Sequence, residues 1–224
     1  MNLFTFFWHS SIGKKWLVAL TGLVLVGYVI GHMLGNLQIF AGPEGINAYA
    51  AFLHSMPAAL WVVRVVLLAA FVLHIVMTIK LVAENRAAKA QGYERRNRVQ
   101  SRFATRTMAL SGLVVLAFVA YHIAHFTVKA TDQRFHHLPR GEYDVYSMVI
   151  LGFQHPVVSG IYIVAVFLLC LHLSHGFQSL PQTFGINSAK LRTLFGTGGQ
   201  VLAWLIFAGF IAIPVAVLAN LLKL

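Results

Sequence analysis

Five apolar runs, at about 16–40, 58–82, 107–129, 156–180 and 199–222, take up most of this 224-residue chain. Each is long enough to cross the roughly 30 Å hydrocarbon core of a bilayer as a helix rising about 1.5 Å per residue. In hydrocarbon every backbone N–H and C=O must be satisfied within the protein, so a run of this length spans as a helix. Only 10% of the residues are charged, where a soluble domain carries about 25%. The fold class that follows is an all-α membrane protein of five transmembrane helices, with residues 1–224 forming one integral-membrane domain.

Lysine and arginine set the orientation. Lys14 and Lys15 precede the first run, eight basic residues from Lys80 to Arg106 lie around the link between the second and third, and Lys190 and Arg192 lie between the fourth and fifth. The link between the first and second runs has none, and Lys129, Arg134 and Arg140 in the next are balanced by Asp132, Glu142 and Asp144. The positive-inside rule therefore puts the N-terminus in the cytoplasm. The net charge of +11 is largely this excess, which suits anionic lipid headgroups and an acidic soluble partner rather than nucleic acid. Residues 1–15 read as an aromatic interfacial lead-in, not a signal peptide, because the aromatics precede the lysines.

The links differ in character. Residues 41–57 suggest a short amphipathic helix on the outer surface, and 83–106 extend the second and third helices into the cytoplasm. Residues 130–155 form the longest outer loop, ending at His155-Pro156, and 181–198 make a turn-rich cytoplasmic connection. No long internal repeat stands out.

Four histidines, His32, His74, His122 and His172, sit one apiece on the first four runs. Each lies roughly 22–25 Å along its helix from the end at which that helix enters the membrane. Successive helices run in opposite directions, so His32 and His122 share an outer depth and His74 and His172 an inner one. A single intramembrane histidine is commonly a hydrogen-bonded interior residue. Two facing pairs at two depths, however, are what a four-helix bundle needs to hold two stacked haems through axial imidazoles. His125 and His175 lie one turn beyond His122 and His172, so spacing alone leaves the ligand within each HxxH open. The single cysteine, Cys170, allows no disulfide, and no C-x-x-C-H is present, so a haem here is b-type. Gly27, Gly31 and Gly35 beside His32 offer either close helix packing or a face for a porphyrin.

The segments GHMLGN (31–36), INAYAAFLHSMP (46–57), LHIVMTIKL (73–81), SGLVVLAFVAYHIAHFT (111–127), GFQHPVVSGIYI (152–163) and LHLSHGFQSLPQTFG (171–185) resemble the cytochrome b membrane anchor of succinate dehydrogenases and fumarate reductases. The likeness is to the single-chain, five-helix, two-haem type. It implies a partner flavoprotein carrying FAD, a partner iron–sulfur subunit, and an anchor passing electrons through two b haems to or from a quinone, in the bacterial inner membrane. It also implies that His32, His74, His122 and His172 bind haem iron, settling each HxxH on its first histidine. His9 and Ser10, in the Trp8–Ser10 run, are implied to meet a propionate of the inner haem. The two-haem type resembles menaquinone-linked enzymes, so menaquinone is the expected quinone. Some dihaem fumarate reductases carry a glutamate two residues before the helix-four ligand; this chain has Cys170 there, and no proton path through that position is carried over.

Arg64 lies roughly 9 Å into the second run, where a cation is costly; it either snorkels or pairs a propionate of the outer haem. Arg106 and Lys80 could serve the inner haem or anchor helix ends. The quinone is expected on the outer side, which a second haem is needed to reach, with His54, His125 and Asn36 the leading hydrogen-bonding candidates among several polar residues there. The competing readings are the dihaem anchor of a hydrogenase or formate dehydrogenase, and a haem-free proton-coupled transporter.

The orientation has a direct test. With Cys170 replaced by alanine, a single cysteine at Ser188 is expected to react with an impermeant maleimide only from the cytoplasmic side, and one at Thr131 only from outside. The reverse pattern would overturn the topology and with it both histidine depths.

Overall fold

Prolines and small polar caps set where the helices start. The structure, a computed structural model, describes residues 2–88, 103–141, 143–186 and 188–224, without the side chains of Leu3, Phe4 and residues 103–107. Helix α1 (Leu3–His9) is capped by Asn2, and α2 (Ser11–Leu37) by Ser10, whose hydroxyl accepts from the Gly13 amide at 2.9 Å. A 3₁₀ turn, Gln38–Ala41, leads to α3 (Pro43–His54), and α4 (Pro57–Ala87) follows. Helix α5 (Phe103–His122) continues as a π-helical turn, Ile123–Thr127, before a short 3₁₀ turn, Gln133–His136, and α6 (Val145–Phe153). Then come α7 (Pro156–Thr183), α8 (Ala189–Thr193), a second π-helical turn, Leu194–Gly198, and α9 (Gly199–Leu218). Proline opens α3, α4 and α7, where its missing N–H would have had no helical partner.

Among the described residues, five helical stretches are long and apolar enough to cross a membrane: 11–41, 57–87, 108–127, 156–183 and 189–218. They coincide with the five apolar runs but not with their ends. Helical backbone continues through the charged ends, so α2 begins before Lys14 and α4 runs past Glu84 and Arg86. The last helix stops at Leu218, ahead of Asn220 in the left-handed region at φ 58°. The basic segment 89–102, the Arg106 side chain and Glu142 lie outside the described residues.

Helix α2 packs along α4, α5 along α7, and α9 against both α7 and α2. Two glycines seat α9: Gly199 lies against Phe177 of α7 and Gly209 against Met33 of α2, where side chains would collide.

The two ends of the bundle are closed differently. At one end α1 folds onto the start of α2, and Lys80 of α4 places its ammonium 4.3 Å from the Trp8 ring centre. Lys14, only 1% exposed, is paired with Glu84, so α2 and α4 are locked by a charge pair. At the other end lie α3 and α6. The sequence reads residues 130–155 as a loop, yet nine of them form α6. Its VYSMVILGF sequence is buried along most of its length, so it behaves as a core helix. Asp144 caps α6 through Ser147 N, and Asn47 of α3 binds both Asp144 and the Tyr146 amide. Burial alone would raise the Asp144 carboxyl, but hydrogen bonds from Ser147, Asn47 and the Arg140 backbone outweigh it and hold it below the ordinary carboxylate range. The stability it contributes is therefore present above that range and lost as pH falls through its lowered value.

Replacing Glu84 with Gln leaves a buried ammonium without its counter-charge. We expect a loss of about 2–4 kcal/mol in detergent-solubilised protein, read as a lowered thermal midpoint. The double variant Lys14→Met/Glu84→Gln should recover most of it; equal losses in the single and double variants would show that the charge pair is not the cause.

Candidate functional site

The bundle brings the four histidines together as two facing pairs. His32 of α2 meets His122 of α5 with ring centres 5.7 Å apart at 79°, and His74 of α4 meets His172 of α7 at 6.4 Å and 60°. The first pair lies toward the α3–α6 end, the second toward the α1 end. Thr21 stands beside His74, and His32 follows eleven residues later on the same helix, which separates the two levels by about 16 Å.

The His74–His172 pair is held by a duplicated contact. His74 Nδ1 lies 3.2 Å from Thr21 Oγ1 and 3.1 Å from the Val18 carbonyl, while His172 Nδ1 lies 3.4 Å from Ser111 Oγ. The residue after each hydroxyl is glycine. A Cβ on Gly22 would stand 3.3 Å from His74 Cε1, and one on Gly112 would stand 3.4 Å from His172 Cε1. The bare backbone at these two positions lets each imidazole edge reach the neighbouring helix. At the other level, Tyr28 stacks on His32 at 5.5 Å, and the Asn36 amide nitrogen lies 3.3 Å from both His32 ring nitrogens. Tyr162 places its hydroxyl 3.3 Å from His122 Nδ1 and 3.0 Å from His125 Nδ1.

These contacts carry a signal that the sequence reading missed. TGLVLVGYVIGH (21–32) and SGLVVLAFVAYH (111–122) align without gaps, with a hydroxyl–glycine–Leu–Val start and a terminal histidine in both. Each half of the chain then continues through a short helix, α3 or α6, to a proline-started helix carrying the next histidine. That is a parallel repeat of a kind known in membrane proteins. Thr21, Gly22, Ser111 and Gly112 could have been found by aligning helices rather than scanning for isolated motifs.

The other candidate residues are spread more widely. The Ser10 hydroxyl is engaged at the start of α2, accepting from Gly13 N and donating to Phe6 O at 2.8 Å, and His9 beside it is exposed. Lys80 contacts Trp8 rather than a histidine pair. Arg64 is exposed, its guanidinium 5.1 Å from the Trp61 ring centre and within electrostatic range of the Tyr28 hydroxyl. His54, at the end of α3, bonds its Nδ1 to Ala50 O at 2.8 Å and sits 4.8 Å from the Tyr143 ring. His125 is 2% exposed, covered by Phe126, Phe135, Gly152 and Tyr162. Asn36 donates to the His32 carbonyl at 2.6 Å. Gly35 is filled by the Tyr49 ring, but a Cβ added at Gly27 or Gly31 would meet no atom within 4 Å, so neither packs against another helix.

The donor set fits a bis-imidazole haem. Metal–nitrogen bonds of about 2.0–2.1 Å, with about 1.1 Å more from each nitrogen to its ring centre, put two axial imidazoles about 6 Å apart centre to centre. Both pairs lie close to that separation. Metal-bound histidines characteristically hold their second ring nitrogen on an oxygen, as His74, His122 and His172 do here. Among the described residues no cluster of three or more His, Cys, Asp or Glu is arranged for a metal ion, and a haem needs only two protein ligands because the porphyrin provides four. Comparison with protein-family models, curated proteins and solved structures finds no match to the chain.

Proposed function

We propose that this chain is the dihaem cytochrome b anchor of a succinate:quinone oxidoreductase, a succinate dehydrogenase or fumarate reductase, in a bacterial inner membrane. The observation that carries the reading is the pair of facing imidazole couples at two depths, each near the separation that an axially ligated iron requires. With the N-terminus cytoplasmic, His74 and His172 would hold the inner haem and His32 and His122 the outer. Bound there, haem supplies a one-electron iron couple. The chain's own residues fix the imidazole orientations, keep water from the ligands with apolar packing, and set the spacing between levels.

Succinate or fumarate chemistry belongs to a flavoprotein partner, and an iron–sulfur partner would meet the anchor at its cytoplasmic face, where Lys15, Lys190 and Arg192 give a basic surface. The quinone, menaquinone by the resemblance, would exchange electrons at the outer level. His125 is sealed behind aromatic rings, so its burial favours a role behind His122, and His54 and Asn36 are the better quinone contacts. Arg64 has no carboxylate partner among the described residues and remains the candidate for an outer propionate.

The test is to replace each of His32, His74, His122 and His172 with alanine and measure haem per protein and the reduced-minus-oxidised spectrum. Each variant should lose one of two b haems, the same one for His32 and His122 and the other for His74 and His172. Purified wild-type protein without b-type absorbance would exclude the haem reading and favour a transporter. Co-purification with a hydrogenase or formate dehydrogenase instead of a flavoprotein active on succinate would keep the haems and change the partner.

A further inference from the structure

We propose that Thr21 and Ser111 are positioning residues for the inner haem, each hydroxyl accepting the Nδ1 hydrogen of one inner histidine and so presenting Nε2 to the iron. The inference rests on the dihaem reading above and deepens it. Its basis is a proton count. Thr21 Oγ1 lies 2.6 Å from the Leu17 carbonyl, and Ser111 Oγ lies 3.0 Å from the Met108 carbonyl. A hydroxyl has one hydrogen and a carbonyl has none, so both hydroxyl hydrogens point back into their own helices. What faces each imidazole is a lone pair, and a lone pair bonds Nδ1 only if Nδ1 carries the hydrogen. Neutral imidazole has one such hydrogen, so Nε2 of His74 and of His172 is left as the basic nitrogen. The two hydroxyls therefore select a tautomer, and the adjoining Gly22 and Gly112 bring the rings close enough for them to act.

The same bond has an electronic consequence. An acceptor on Nδ1–H pushes electron density toward Nε2 and makes the imidazole a stronger donor to iron, favouring the oxidised metal and lowering its potential. The two halves are not equal in this. His74 keeps a second acceptor, the Val18 carbonyl, if Thr21 is lost, whereas Ser111 is the acceptor that holds His172. Removing Ser111's hydroxyl should matter more.

The experiment is a redox titration of the membrane-embedded, full-length protein with its partner subunits, comparing wild type, Ser111→Ala, Ser111→Thr and Thr21→Val. Haem content and the low-temperature EPR signal of each haem are measured alongside, the inner haem being assigned as the one lost in His74→Ala. The midpoint potential of the inner haem should rise in Ser111→Ala, rise less in Thr21→Val and stay at the wild-type value in Ser111→Thr, with the outer haem unmoved. Selective loss of the inner haem in Ser111→Ala, reversed in Ser111→Thr, would also support the assignment. Two bound haems with unchanged inner potential in both hydroxyl-free variants would overturn it, as would equal shifts of both haems or loss of both. Wild-type protein that binds no haem would instead remove the dihaem reading itself.

Discussion

A neutral imidazole carries one ring N–H and one basic nitrogen whichever tautomer it adopts, and among apolar helices neither meets water. This constraint organises the bundle. Each hydrogen needs an oxygen within reach, and an oxygen on a neighbouring helix fixes the distance and rotation of that helix. Thr21 and Val18 do this for His74 across the α2–α4 contact, Ser111 does it for His172 across α5–α7, and Tyr162 does it for His122. Nε2 is then left as the basic nitrogen of His74 and of His172. A polar requirement worth little as a single hydrogen bond in water becomes a strong determinant where the alternative is an unpaired group in hydrocarbon.

Much of this was legible in the chain. The five spanning helices follow from run length, because nothing but a helix satisfies its own backbone over that distance. The meeting of His32 with His122, and of His74 with His172, follows from counting residues along helices of alternating direction. The outer-loop helix α6 escaped because VYSMVILGF is a mostly apolar run of nine residues, too short to read as a span and too short to separate a buried helix from a strand by its pattern. It is helical because it is buried, which is a tertiary fact. The hydroxyl–glycine contacts escaped for a different reason. Thr21-Gly22 and Ser111-Gly112 are ordinary dipeptides alone; they acquire meaning from lying opposite a histidine on another helix and from recurring at the same distance before a histidine on their own.

That recurrence shows how the two levels are linked. One helix face carries both the acceptor for its neighbour's histidine and, about three turns later, its own histidine. Eleven residues at 3.6 per turn return to nearly the same face, so one rotational setting of α2 satisfies both levels, and the same holds for α5. The two pairs cannot be adjusted independently. A rotation that improved one would spoil the other, and the glycines that admit the imidazole edges leave little play.

The halves diverge just beyond His32 and His122. Three residues on, α2 has Gly35, filled by the Tyr49 ring from α3, whereas the corresponding position after α5 is His125. The helix there opens into a π turn, a feature often found at functional positions, and His125 reaches the hydroxyl of Tyr162. That phenol has one hydrogen, so it can donate to at most one of the two imidazole nitrogens, while its oxygen can accept from either. If His122 keeps its hydrogen on Nδ1, as the hydroxyls impose on His74 and His172, Tyr162 accepts from it and its own hydrogen is free for His125, which can take it when His125 carries its hydrogen on Nε2. A single direction of donation then runs from His122 outward through two buried groups, under the cover of Phe126, Phe135 and Phe153. The other side of the same pair is more open: His32 lies against Phe210 of α9 and the stacked Tyr28, but Tyr28 is itself 45% exposed, and Arg64 is exposed as well. A repeat that treats the two halves alike at one level thus encloses one half more than the other at the second, and the enclosing residues, His125, Phe126, Phe135 and Phe153, lie outside the repeated segment.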